Sequence, residues 1–290
     1  MLSRNRDNRP GAWTATTGYR WLIVPPALFL ALFFFWPLVL VVARGFTDPV
    51  PGLQNYARIT ESSLYVHVLY NTVETTLIVT LLCLVIAYPV AYVMSSARGT
   101  RLQVMAAFVI IPLWTSAVIR SYSWMVVFQR KGVLNDAFVA LGVTDEPFRF
   151  IPGTLAVNVG MVHIMLPFMI LPLVANMRAI DRSLIRAAEV MGANPLIAFA
   201  KVFLPLSVPG ISAGSAVVFM LSLGFFITPA LLGGPKHLMA AVLIEQQANV
   251  FFDWGLASSL ATLLLVITLV IYALYVRVTG GAAGGFAKGA

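Results

Sequence analysis

Apolar residues in this chain come in long runs, not in the short alternating patterns of a soluble fold. Trp21–Ala43, Thr75–Ala97 and Trp254–Val276 carry no charge. Leu102–Gln129 is interrupted only by Arg120, and Phe150–Met177 holds one ionisable side chain, His163. Val202–Pro235 is uncharged and longer than one crossing needs. A helix needs about 20 apolar residues to cross bilayer hydrocarbon. The pattern therefore predicts six transmembrane helices, with the fifth run continuing into an outer loop. Strands that span a membrane are shorter and alternate apolar with polar positions, and these runs do not. The expected fold is an all-α integral membrane protein.

Between the fourth and fifth runs the pattern changes. Asp181 is placed to cap a helix N-terminus, because its short acceptor reaches free amides. Leu184, Ala187, Ala188 and Met191 recur at i, i+3, i+4 and i+7, which is one apolar helix face. Arg182, Arg186 and Glu189 fall on the other. Gly192 is placed to end the helix in a left-handed turn. Asn194-Pro195 then opens a second short stretch that leads through Phe199 and Val202 into the next span. Periodicity leaves two readings open, a connector on the membrane surface and a face for another protein. The small side chains of Ala187 and Ala188 suit a partner's groove closing over the helix.

Composition agrees with the membrane reading. Of 290 residues, 60% are hydrophobic and only 10% charged, too little charge to cover a soluble surface. The net charge of +8 needs no nucleic acid. With the N-terminus inside, twelve of the 19 cations fall in inner segments, six in outer loops and one, Arg120, within a span. Most acids fall on the outer side. This is the positive-inside asymmetry, and it places both termini in the cytoplasm. The expected organisation is a cytoplasmic segment 1–20, a membrane domain 21–278 containing an inner loop 178–202, and a flexible tail 279–290. Cys83, in the second run, reads as a small buried hydrophobe. Prolines are frequent in the spans and remove backbone hydrogen bonds, which favours a bundle that lines a pathway and moves.

Ionisable groups at membrane depth are costly and often face a cavity. Glu74 and Arg120 have similar expected depths and are expected to come within salt-bridge range in some state, as a static pair or as a cavity pair that reorganises. His163 is expected to hydrogen-bond a neighbouring helix. Glu245 and Asp253, with Tyr122, Trp124 and Trp114, are candidates to line an outer vestibule, where aromatic faces and carboxylates suit an organic ammonium. No cluster has metal-ligand spacing, no nucleophile–base pair is evident, and no phosphate loop is present. No cofactor or catalytic role is expected of this chain.

Arg186-Ala187-Ala188-Glu189-Val190-Met191-Gly192-Ala193 resembles the cytoplasmic Glu-Ala-Ala loop of ATP-binding-cassette (ABC) importer permeases. Ala187, Ala188 and Gly192 match in spacing, as do Leu204-Pro205 and Val208-Pro209-Gly210. Arg186 stands where that family has glutamate. The resemblance extends through Asn71-Thr72, Ala87-Tyr88-Pro89-Val90-Ala91-Tyr92 and Ile111-Pro112-Leu113-Trp114-Thr115. It continues through Ile119-Arg120-Ser121-Tyr122, Gly132-Val133-Leu134-Asn135 and Leu166–Leu173, and is greatest to the spermidine/putrescine permeases.

It implies a type I importer permease architecture in which Asp181, Arg182, Arg186, Ala187, Ala188, Glu189, Gly192 and Ala193 form a coupling helix for an ATPase. It also implies a second homologous permease, two cytoplasmic ATP-binding subunits carrying ATP and Mg, and a periplasmic solute-binding protein, all at a bacterial inner membrane. A polyamine is the substrate implied. Permeation of another small solute (amino acid, opine, phosphonate or metal-ion complex) is the alternative. A self-contained secondary transporter is the more distant one, because six spans show no inverted repeat.

Overall fold

The computed structural model describes residues 21–287. The expected segment 1–20 lies outside the described residues. Within them the regular elements are helical: α1 (Val24–Thr47), α2 (Gln54–Glu61), α3 (Ser63–Ser96), α4 (Gly99–Trp114), α5 (Ala117–Phe128), α6 (Val133–Ala140), α7 (Thr154–Ala179), α8 (Arg182–Val190), α9 (Pro195–Leu223), α10 (Ile227–Leu232), α11 (Ala240–Asn249) and α12 (Trp254–Ala287). Five of these are long and apolar enough to cross a membrane, and six crossings result if α4 and the helical stretch after it, bent by 95° from one another, count as one span.

Helix α7 is the centre, packed between α3 and α9. Its sequence is apolar on every side, as a buried helix requires. Met161, Met165, Met169, Leu173 and Met177 recur every four residues and are almost completely buried. Small side chains line the two helices packed against α7. On α3 they are Cys83, Ala87 and Ala91, none of them exposed. On α9 they are Ser207, Gly210 and Gly214, all buried. A Cβ on Gly214 would lie 2.8 Å from the Met169 sulfur and 3.1 Å from its carbonyl oxygen. Lipid offers no hydrophobic drive for helices to associate, so such close approach supplies the binding energy. Helix α12 packs on α1, α11 and α9. The most apolar stretch of α1 is wholly exposed in the isolated chain.

Three expectations change. The third run is not one straight helix: α4 ends at Trp114, and Ser116 accepts a hydrogen bond from the Val118 amide (3.2 Å) to cap a new helix. Pro112 lacks the N–H that would have held the preceding turn. The long fifth run ends as helix at Leu223, and its remainder folds into α10 against α5 and α7. The glycine-rich stretch expected as a tail is helical as far as Ala287, with 288–290 outside the described residues.

Two prolines leave a mark on helix geometry. Pro37 follows a π-helical turn at Ala31–Phe35, and Pro205 follows another at Phe199–Phe203. Each proline cannot donate to the carbonyl four residues earlier, and the wider turn absorbs the mismatch.

Gly214→Val should overpack the α7–α9 contact at a cost of about 1–3 kcal/mol. The thermal unfolding midpoint in detergent should fall. Gly224→Ala, at a site with no atom within 4 Å of an added Cβ, should leave it unchanged.

Candidate functional site

Helix α8 is short and fixed at both ends. Its first turn is capped by Asp181, whose Oδ1 accepts from the Ser183 amide at 2.8 Å. The Ser183 side chain and then its amide hold the Asp181 carboxyl below the usual carboxylate range, and Arg186 adds to this. The cap is therefore present at neutral pH and is lost only as pH falls through that lowered value. At the other end the Ala193 amide donates to Ala188 (3.0 Å) and the Gly192 amide to Glu189 (2.9 Å). These are the two bonds of a Schellman turn. Gly192 has φ +90° with open space around it, so the backbone rather than crowding demands glycine. Asn194 then caps the next turn through the Ile197 amide, 2.8 Å away.

The apolar face expected on α8 is divided by the fold. Ala188 is buried and Ile185 packs on the core, whereas Leu184, Ala187, Val190 and Met191 are exposed. Val190 and Met191 are 88% and 82% exposed. Arg182 does not share the outer face with Arg186 and Glu189. Its Nη2 donates to the hydroxyls of Ser95 (2.7 Å) and Ser96 (3.0 Å) at the end of α3. Its guanidinium lies 5.3 Å from the Phe203 ring centre and 5.9 Å from that of Tyr92. Arg182, Ile185 and Ala188 are the α8 residues that the fold covers, while Glu189, seven residues on from Arg182, stays exposed. Arg178 performs a related task from α7, donating to the carbonyls of Met94 (3.4 Å) and Ala97 (3.2 Å). Both carbonyls lie at the C-terminal end of α3, where helical donors run out, and the Met94 carbonyl also accepts from the Ala97 amide.

A second polar group lies where α5 meets α7 and α10. Trp124 donates its indole N–H to His163 Nδ1 at 3.1 Å, so His163 does bond a neighbouring helix. Arg120, one turn earlier on α5, lies within electrostatic range of His163. Ser121 and Thr228 are both buried, with their hydroxyl oxygens 2.7 Å apart. The Nε and one terminal nitrogen of Arg120 are buried and have no hydrogen-bond partner among the described residues.

No family model matches the chain. The spermidine/putrescine transport system permease protein PotB of Escherichia coli K12 is 34% identical over 262 residues, spanning 87% of this chain and 95% of that protein. The chain belongs to the PotB family of ABC transporter permeases. The Haemophilus influenzae PotB protein is 33% identical over 263 residues, spanning 89% of this chain and 90% of that one. A membrane chain of a bacterial alginate ABC transporter, solved with its alginate-bound periplasmic protein, superposes with a TM-score of 0.75. It is 17% identical, over 92% of this permease and 96% of that chain, so it speaks to the fold, which is that of a type I importer permease.

The remaining candidates are distributed over α3, α4, α5, α11 and the start of α12. Glu74 is exposed on α3 and forms no ion pair with Arg120; the one ion pair among the described residues joins Arg58 to Asp253 at 3.0 Å. Asp253 is a structural residue of this permease: its Oδ2 accepts from Arg58 and its Oδ1 caps α12 through the Leu256 amide. Glu245 is half-buried on α11, which packs on α12 and α3. Trp114 is 85% exposed at the end of α4, and Tyr122 is exposed on α5. Sequence reading missed Arg178, Ser95 and Ser96 as the anchorage of α8. The available signal was a pair of hydroxyls closing a helix opposite a loop rich in arginine.

Charge-assisted hydrogen bonds contribute roughly 1.5–3 kcal/mol each. Arg182→Ala should thus release α8 while leaving the α3–α7–α9 core intact. Amide exchange across residues 182–193 should rise by about tenfold or more, with α7 exchange unchanged.

Proposed function

We propose that this permease, paired with a second homologous permease, forms the pathway through which an ATP-driven importer takes up a polyamine. Support for the substrate class is the similarity to spermidine/putrescine permeases over most of the chain. The chain contributes no catalytic group. ATP and Mg belong to two cytoplasmic subunits, and a periplasmic binding protein delivers the solute.

The observation that carries the reading is the exposed stripe Leu184, Ala187, Val190 and Met191 on a helix locked at both ends. Among the described residues nothing covers that stripe, while Arg182 ties the opposite side to α3 and to Phe203 of α9. A push on the stripe reaches both helices that flank α7. That is the coupling a two-state pathway needs, with α8 on the cytoplasmic side. Arg186 and Glu189 are also exposed, so an ATPase groove would meet a cation immediately before the Ala-Ala pair.

The group around Arg120 and His163 is not suited to a polycation. An unpaired guanidinium repels it and needs an acceptor instead. In this reading the second permease supplies that acceptor, and the solute is held by the binding protein and by pathway surfaces apart from Arg120.

Val190→Asp puts an unpaired carboxylate into the docking face, which costs at least about 2 kcal/mol, or roughly 30-fold in affinity. Co-purification of the ATPase subunits should be lost, and spermidine uptake with it, although Val190 touches no core residue. Full co-purification with this variant would remove the docking assignment. Uptake competed by an amino acid but not by putrescine would remove the substrate assignment.

A further inference from the structure

At the α8 end of the bundle is a basic hollow that the transport reading leaves unused. A cavity of about 490 Å³ lies where α3 ends and α4 and α8 begin, lined by Ser95, Ser96, Arg98, Arg178 and Arg182 among others. A smaller hollow of about 230 Å³ shares Ser96 and Ala97 with it, adds Arg101, and opens between Tyr92 and Val93. Both of those side chains are exposed on the apolar flank of α3. The combined space has a cationic head and an apolar side.

Four guanidinium groups line this space, and no carboxylate does. Asp181, the acid nearest in sequence, is engaged with Ser183 at the start of α8. Arg178 and Arg182 are spent in part on the carbonyls and hydroxyls that end α3. Arg98 and Arg101 are exposed and make no hydrogen bond or ion pair among the described residues. Arg98 is also the N-cap residue of α4, whose first turn receives no side-chain cap. An uncapped helix N-terminus adds free amides and a positive dipole end to the same corner.

We propose that this hollow holds the phosphate headgroup of an anionic phospholipid, with an acyl chain laid along Tyr92 and Val93. Guanidinium groups bind phosphate oxygens through charge-assisted pairs, and basic pockets between membrane helices select anionic headgroups. The apolar side of the space is what distinguishes a lipid from free phosphate. The hollow also sits just past the C-terminus of the α7 span, at the depth expected of headgroups. Because Arg182 anchors α8 from the same wall, the bound lipid stiffens the mount of that helix. The inference needs only that the chain spans a membrane, and so stands or falls apart from the polyamine and ATPase assignments.

The test is native mass spectrometry of the detergent-purified permease titrated with phosphatidylglycerol or phosphatidylcholine. Arg98→Gln/Arg101→Gln removes the two arginines that make no internal contact, so the thermal midpoint should not move. Wild type should retain one phosphatidylglycerol and no phosphatidylcholine, and the double variant should bind on the order of 30-fold more weakly. Glycerophosphate in large excess should fail to displace the lipid. Equal retention of phosphatidylglycerol by variant and wild type would overturn the proposal. So would full displacement by glycerophosphate, which would make the site one for a free anion. Loss of ATPase-subunit binding in the variant, with no lipid retained by wild type, would assign the hollow to an acidic protein segment instead.

Discussion

The contact on which the rest of this structure depends is the methionine edge of α7 set between the small-residue stripes of α3 and α9. Inside a membrane, leaving lipid for protein gains a helix little hydrophobic energy, so shape complementarity must hold the bundle. Flexible methionine side chains fill the irregular space that glycine, alanine and serine leave open. The arrangement brings three backbones close together and leaves α1 at the edge, attached through α12. It also explains why Pro167 and Pro172 are tolerated within α7, since neighbours surround the kinkable region on several sides.

Position along the chain turns that packing into a lever. Helix α8 follows α7 directly and precedes α9, and Arg182 fastens it to α3. All three core helices are thus touched by one nine-residue element. Its caps are local and its tether is charge-assisted, so α8 stays ordered while its outer stripe remains free. That combination is required of a surface that receives force: a frayed helix would absorb the push, and a buried one would not meet a partner.

The polar residues show where reasoning from one dimension stops. Counting residues along a helix estimates depth, and on that basis Glu74 and Arg120 look like partners. Pairing also depends on the direction each side chain leaves its helix. Beyond the 95° bend that follows Trp114, Arg120 lies within electrostatic range of His163, and the exposed Glu74 forms no ion pair with it. Asp253 shows the same limit. A carboxylate at the start of a span reads equally well as a ligand or a cap, and only the positions of Arg58 and the Leu256 amide decide for the cap.

The sequence by itself determined the membrane character, the long apolar helices and the existence of α8. Those depend on run length, charge spacing and capping residues, all of which act over a turn or two. It also marked Gly192 as the stop of α8, because a left-handed turn is a local backbone demand. Tertiary structure alone decided which side of α8 is free. Leu184 and Ala188 are one turn apart and both apolar, yet only Ala188 is buried. On the covered side Arg182 is held by Ser95 and Ser96, 87 and 86 residues upstream, and by Phe203 downstream. Local periodicity identifies a face that prefers to be covered; what covers it is set by helices that meet only when the chain is folded.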